Sequence, residues 1–116
     1  VVLGSSGGVY RRDQKPFGLE DDTTVRTIAS DTVAADLAVR HFGYPTDDAA
    51  RDPNCIFPLD RLRELVESQV IGELAPLAVT FMGGVYSQRR VQTELLPRIL
   101  DVLKPLHADL FLLVPS

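Results

Sequence analysis

The stretch that most constrains the fold is Cys55 to Gly84, CIFPLDRLRELVESQVIGELAPLAVTFMGG. Pro58 stands where the first turn of a helix tolerates a missing N–H. Leu59, Leu62, Leu65 and Val66 then recur at spacings of three and four, which lays one apolar face along a helix. Arg61, Arg63, Glu64 and Glu67 lie mostly off that face, with Arg63 and Glu67 placed to pair across one turn. Gly72 is a helix stop. After Pro76 the run LAVTFM is apolar almost without a break, which suits a strand covered on both faces, as in a parallel sheet. Gly83 and Gly84 end it at the carboxyl edge, where open α/β sheets place their ligands.

The flanking segments extend this pattern. Val1 to Leu3 reads as a first strand running into Gly4-Ser5-Ser6-Gly7-Gly8. That loop either presents backbone N–H groups to an anion or is a plain turn out of the sheet. It carries neither the full dinucleotide fingerprint nor a phosphate-loop lysine. Tyr10 to Asp22 lacks periodicity and reads as a solvated connection, with Arg11, Arg12 and Lys15 as a small basic group. Thr23 to Ala29 has the β-branched alternation of a strand. Ser30 or Asp31 then caps a short helical stretch through Leu37. Val39 to Phe42 is a short strand or the end of that helix, and Pro45 to Pro53 is a turn or a brief helical turn capped by Thr46. Beyond Gly84, Ser87 caps a second helix whose packing stripe is Val91, Leu95, Ile99 and Val102 or Leu103. Pro97 should kink it near Thr93, and Pro105 marks its stop. Asp109 to Val114 is the last strand.

These elements predict one α/β domain over residues 1–116: a three-layer, Rossmann-like or flavodoxin-like parallel sheet. Its strands lie near 1–4, 24–29, 77–82 and 109–114, joined by right-handed crossovers. A chain that opens in a strand and stops after another reads as an incomplete part of a longer α/β unit. Unfinished sheet edges make a homo-oligomer an expectation as well.

Of 116 residues 45% are hydrophobic and 24% charged, enough apolar material for a core. A net charge of −4 offers no basic face for nucleic acid. No apolar run approaches the roughly 18 residues of a membrane span. The single cysteine, Cys55, excludes an internal disulfide and a multi-thiolate zinc site, and fits a reducing cytoplasm. Its neighbours Ile56 and Phe57 suggest a buried, inert thiol. His41 is a candidate for carboxylate binding or proton transfer, set against a half-buried imidazole bonded to backbone. His107 sits near a helix end, where a cation suits the dipole, and is assigned no chemistry. The two histidines have no ligand spacing, so no metal is expected. Gly7-Gly8-Val9-Tyr10 recurs as Gly83-Gly84-Val85-Tyr86, each after a strand. Either two similar loops line one crevice, or two turns are alike by chance.

The chain resembles a known family at several places: Gly7-Gly8 after the first strand, Ser30-Asp31-Thr32 with Asp36, and His41. The match continues through Asp52, Asn54, Phe57 to Leu65, Ile71 to Pro76, and Phe81 to Gly83. It looks like the selenoprotein B component of glycine/sarcosine/betaine reductase and D-proline reductase. The resemblance implies reductive cleavage of a carbon–nitrogen bond. It implies a companion subunit holding the amino substrate through a pyruvoyl group, and a selenolate or thiolate attacking the carbon beside the carboxylate. Other reductase subunits are the implied partners. Two departures stand out. Gly43 occupies the place where members often carry a second histidine, and the selenocysteine or cysteine motif that follows the last strand is absent. The chain is then either a fragment, ended where a selenocysteine codon was read as stop, or a degenerate homologue.

The expected site is the carboxyl rim: Ser5, Ser6, Gly7, Gly8, His41, Met82, Gly83, Gly84 and Ser116. Ser5, Ser6 and His41 would bond a substrate carboxylate, the glycines would admit a close approach, and Ser116 marks where a nucleophile would follow. A non-catalytic interaction subunit and a small-anion-binding or nucleotide-binding domain are the alternatives.

Overall fold

The computed structural model describes residues 1–116. Its sheet has four strands: β1 (Val2–Ser5), β3 (Val25–Ala29), β5 (Leu77–Phe81) and β6 (Phe111–Val114), in the order β3-β5-β1-β6. A separate antiparallel pair joins β2 (Val9–Arg11) to β4 (Leu37–Val39). Pairs β1–β5 and β1–β6 are parallel. β3 instead runs antiparallel to β5, so the sheet is mixed and the expectation of four parallel strands is corrected. The chain from β1 reaches β3 by way of the β2 ribbon, with no helix between them to carry it back for a parallel return.

Leave β3 aside and the parallel core has its first strand in the middle, its second (β5) on one side and its third (β6) on the other. That is the 2-1-3 beginning of a flavodoxin-like sheet. Helix α2 (Leu59–Glu67) packs through Leu59 and Leu62 on Leu3, Ile28 and Ala78. Helix α4 (Leu96–Leu103), with Leu95 ahead of it, packs through Ile99 on Val79 and Phe81. Ala78 and Val79 are adjacent in a strand and point to opposite faces, so the two helices cover opposite sides of the sheet. The strands are apolar on both faces because each face has its own helix layer.

Several local readings change. On α2, Leu65 is exposed and Leu59 and Leu62 alone are buried, so the inward stripe is narrower than the spacing suggested. Arg63 turns away from Glu67. It donates to the Ser30 and Thr32 carbonyls and pairs with Asp60, which ties α2 to the end of β3. The helix expected through Leu37 is a single 3-10 turn, Ala34–Asp36, leading straight into β4. The helical turn after Thr46 is α1 (Asp47–Arg51), though the Thr46 side chain makes no capping bond. The connection after Tyr10 is not wholly solvated: Phe17 is fully buried, with Arg26 stacked 4.3 Å from its ring centre. Cys55 is exposed, not buried, because a 3-10 turn at Pro53–Cys55 sends Ile56 and Phe57 inward in its place.

Ser87 caps the second helix as read, its Oγ accepting from the Arg90 N–H. Helix α3 (Gln88–Arg90) passes into a π-helical turn, Val91–Leu95, before α4 begins. In a regular α-helix Pro97 would leave the Thr93 carbonyl without its N–H partner. The helix is wider just before Pro97: the Leu96 N–H reaches back five residues to the Val91 carbonyl.

Candidate functional site

Strands β1, β5 and β6 are parallel, so their carboxyl ends share one rim. A flavodoxin-like sheet has its topological switch point between its first and third strands, here β1 and β6. At this place Ser6, just past β1, is bonded to Ser116, just past β6. The Ser116 N–H donates to Ser6 Oγ at 3.1 Å, and Ser116 Oγ donates to the Ser6 carbonyl at 3.2 Å. The Ser6 N–H in turn donates to Val114 at 3.2 Å.

His41 joins the same rim. Its Nε2 lies 3.5 Å from Ser116 Oγ, and the Ser6 carbonyl is a second partner. Its Nδ1 accepts from the Gly43 N–H at 2.8 Å, so the proton of the neutral ring belongs on Nε2, facing the serines. Partial burial pushes the His41 pKa below its usual 6.5, against the opposing bond to Ser6. At neutral pH it is therefore an uncharged hydrogen-bond donor. Gly43, two residues on, supplies the bond that sets this tautomer.

The two glycine corners meet. Gly7 bridges Met82, the Gly8 N–H donates to the Phe81 carbonyl at 3.1 Å, and the Gly83 N–H donates to Ser6 at 2.9 Å. The repeated GGVY segments are thus two turns that pair with each other at one rim. Gly8 is left-handed at φ 71°, and a Cβ there would overlap the Arg40 carbonyl oxygen. Gly84 is needed for a different reason: its missing side chain is the space filled by the Phe42 ring.

Aromatic side chains frame the rim, and the sequence reading passed over them. His41 stacks on Phe42 at 5.7 Å, Phe42 stacks on Tyr86 at 5.8 Å, and Tyr44 lies 4.8 Å from His41. The Tyr44 hydroxyl donates to the Gly7 carbonyl at 2.7 Å, and burial pushes its pKa up to about 12. Their signal was the density of rings in His41-Phe42-Gly43-Tyr44 beside a glycine corner.

Not every expected site residue faces a ligand. Ser5 is fully buried; its Oγ donates to the Ile56 carbonyl at 2.8 Å and accepts from Gly7. It holds the loop and is corrected from a carboxylate contact to an internal brace. Met82 is also fully buried, beneath the rim. With the N–H groups of Ser6, Gly7 and Gly8 all bonded within the protein, the first loop is the plain turn of its two readings. The rim's spare donors lie elsewhere: the His41, Phe42 and Gly84 N–H groups meet no protein acceptor.

The largest concavity, about 670 Å³, is at the opposite end of the sheet. Ser30, Asp31, Arg63, Glu67, Gly72 and Pro76 help line it. The blocks that carry much of the family resemblance thus build this far end. Its one cation, Arg63, is already paired with Asp60 and two carbonyls. With Asp31, Glu67 and Glu73 lining it and Arg63 engaged, this concavity suits a carboxylate less than the rim, where the His41, Phe42 and Gly84 N–H groups are free.

Comparison with known proteins finds relatives named as subunits of reductases. The chain is 37% identical, over 113 residues and 97% of its length, to the D-proline reductase subunit gamma of Acetoanaerobium sticklandii. It is similar, almost end to end, to a reductase subunit. A second relative is the sarcosine reductase complex component B subunit beta of Peptoclostridium acidaminophilum, 32% identical over 72% of the chain. The chain spans about half the length of the first relative (47%) and a fifth of the second (20%). No family model and no solved structure matches it. No helix is long and apolar enough to cross a membrane.

Proposed function

We propose that this chain is the substrate-facing α/β portion of a thiol-dependent reductase that cleaves the C–N bond of a small amino acid or betaine. The observation that carries this is the 37% identity, across 97% of the chain, with a subunit named for D-proline reduction. The rim supports it by its chemistry. A zwitterionic substrate offers a carboxylate, and the free His41, Phe42 and Gly84 N–H groups are uncharged donors suited to it; the His41 Nε2–H and the two serine hydroxyls would join them by exchanging their present bonds to one another. The exposed rings of Phe42 and Tyr86 beside them offer apolar faces against which the substrate's carbon can lie.

On this reading the C–N bond breaks, nitrogen and carbon each gain a hydrogen, and a dithiol that gives up two electrons becomes a disulfide. A selenolate or thiolate would supply the attack on carbon, and a pyruvoyl group on a partner subunit would hold a primary or secondary amine; betaine, whose nitrogen has no N–H, would be held without that bond. Cys55 is the chain's one thiol, in the exposed Pro53–Cys55 turn, and is not assigned this role. The chain's own part is to hold the carboxylate and fix the carbon's direction of approach.

A second reading is an interaction subunit without chemistry. It is favoured by the way Ser6, Ser116 and His41 already bond one another in the free chain. One assay separates the two. The intact complex is supplied with a dithiol and, in turn, glycine, sarcosine, betaine or D-proline, and amine formation is followed. Cleavage of one substrate class, with a raised KM in Ser6→Ala, is the expected result. Turnover unaffected by Ser6→Ala and by His41→Phe assigns the chain to the second reading. Absence of turnover on all four substrates overturns the first.

A further inference from the structure

The sheet has one edge that its position in the topology does not explain. β6 is paired on one side only, with β1, and large apolar side chains along it are open to water: Leu110 is 57% exposed, Leu112 37% and Leu113 46%. Natural sheet edges are blunted by charge, proline or short length. Phe111–Val114 is short and stops at Pro115, but within it four apolar side chains run without a charge.

The helix layer beside it is open as well. Leu96 and Leu100, one turn apart on α4, are 46% and 47% exposed, while Ile99 on the same helix is buried against the sheet. On β6, Leu113 shares a face with Phe111, which packs into the α4 cluster. Leu113 on the strand and Leu96 and Leu100 on the helix thus belong to one side of the sheet, while Leu112 alternates to the other.

Crossover geometry says what fits there. The β1-to-β5 connection moves one way across the sheet and passes over the α2 face. The β5-to-β6 connection moves the opposite way and passes over the α4 face. Reversing both direction and face preserves handedness. A further parallel strand added outside β6 continues in the second direction. Its crossover helix must then also lie on the α4 face, alongside Leu96 and Leu100.

We propose that the free edge of β6 and the Leu96/Leu100 side of α4 form one docking surface for a helix–strand unit. The unit lies in the same subunit, in the portion that its relatives carry outside the match; more than half of the D-proline reductase subunit lies there, since the match covers 47% of it. The surface rests on topology and exposed side chains, and stands whether or not the rim cleaves C–N bonds. One consequence concerns the rim: the added strand would place a fourth carboxyl end beside Ser116, which completes the crevice on its open side.

The test is hydrogen exchange on the native assembly, on the subunit dissociated from it, and on residues 1–116 alone. Amides over 96–103 and 110–114 should exchange slowly in the first two and at least about tenfold faster in the third. In the dissociated native subunit, Leu100→Lys with Leu113→Lys should restore fast exchange at both segments together. In residues 1–116 the same pair should leave the circular dichroism and melting temperature nearly unchanged. Fast exchange in the dissociated subunit, with protection only in the assembly, would show that a separate subunit covers the surface and overturns the proposal. Protection that rises with the concentration of residues 1–116 would show a second copy there and overturns it too.

Discussion

His41 shows how a single residue's role depends on its two ring nitrogens. The Gly43 N–H occupies Nδ1, burial disfavours the cation, and Nε2–H is left to face Ser6 and Ser116. The unfolded chain takes up this proton first as the pH falls. The His41 contribution to stability is therefore whole above pH 6.5 and declines as the pH drops from there toward the lower folded midpoint. NMR titration of the folded protein should give a His41 midpoint below 6.5, with the Nε2–H tautomer above it. A midpoint above 6.5 would mean a carboxylate or other anion faces the ring. In sequence, His41 was an ambiguous residue, because neither Gly43 nor Ser116 is recognisable as its partner before the chain is folded.

At the scale of elements, the two helices differ in how they begin. Ser87 accepts the Arg90 N–H and has a π-turn behind it, whereas the Thr46 side chain caps nothing. Ser87→Ala should cost about 1 kcal/mol in a denaturant titration and Thr46→Ala close to nothing. Equal losses would show that the π-turn, and not the cap, sets where the second helix starts. Both threonine and serine read as caps in the sequence. What separates them is backbone geometry: Thr46 is already helical at φ −91°, ψ −1°, while Ser87 is extended at φ −77°, ψ 102°. The helix stripe of Val91, Leu95 and Ile99 was legible from spacing alone. The effect of Pro97 was legible as a disturbance near Thr93; that it takes the form of a wider, π-helical turn was not.

The whole molecule is a sheet between two separate apolar clusters, with β5 contributing Ala78 to one and Val79 to the other. Because one strand serves both, neither cluster is an independent unit. Leu62→Ala on the α2 side and Ile99→Ala on the α4 side should each cost about 2–5 kcal/mol. Each should lower a single transition seen alike by far-ultraviolet circular dichroism and tyrosine fluorescence. Two separated transitions in either variant would show that the layers unfold one at a time. The α4 side is the less complete of the two, with Leu96 and Leu100 in water, and it is the side on which the docking surface lies.

Local pattern determined which stretches become strands and helices, because side-chain periodicity acts between near neighbours and is written along the chain. It also located the two glycine corners, since left-handed or crowded backbone leaves a mark in residue type. Direction of pairing was another matter. β3 lies antiparallel to β5; its alternating VRTIA differs from the unbroken apolar run of β5, yet direction itself is set by the connection and by the neighbours available. Burial of Phe17 in a loop and exposure of Cys55 beside an apolar patch were likewise decided by which groups the rest of the chain brought near. The rim itself unites Ser6, His41 and Ser116 from the two ends and the middle of the chain; only the parallel order of β1 and β6 puts them within hydrogen-bonding distance.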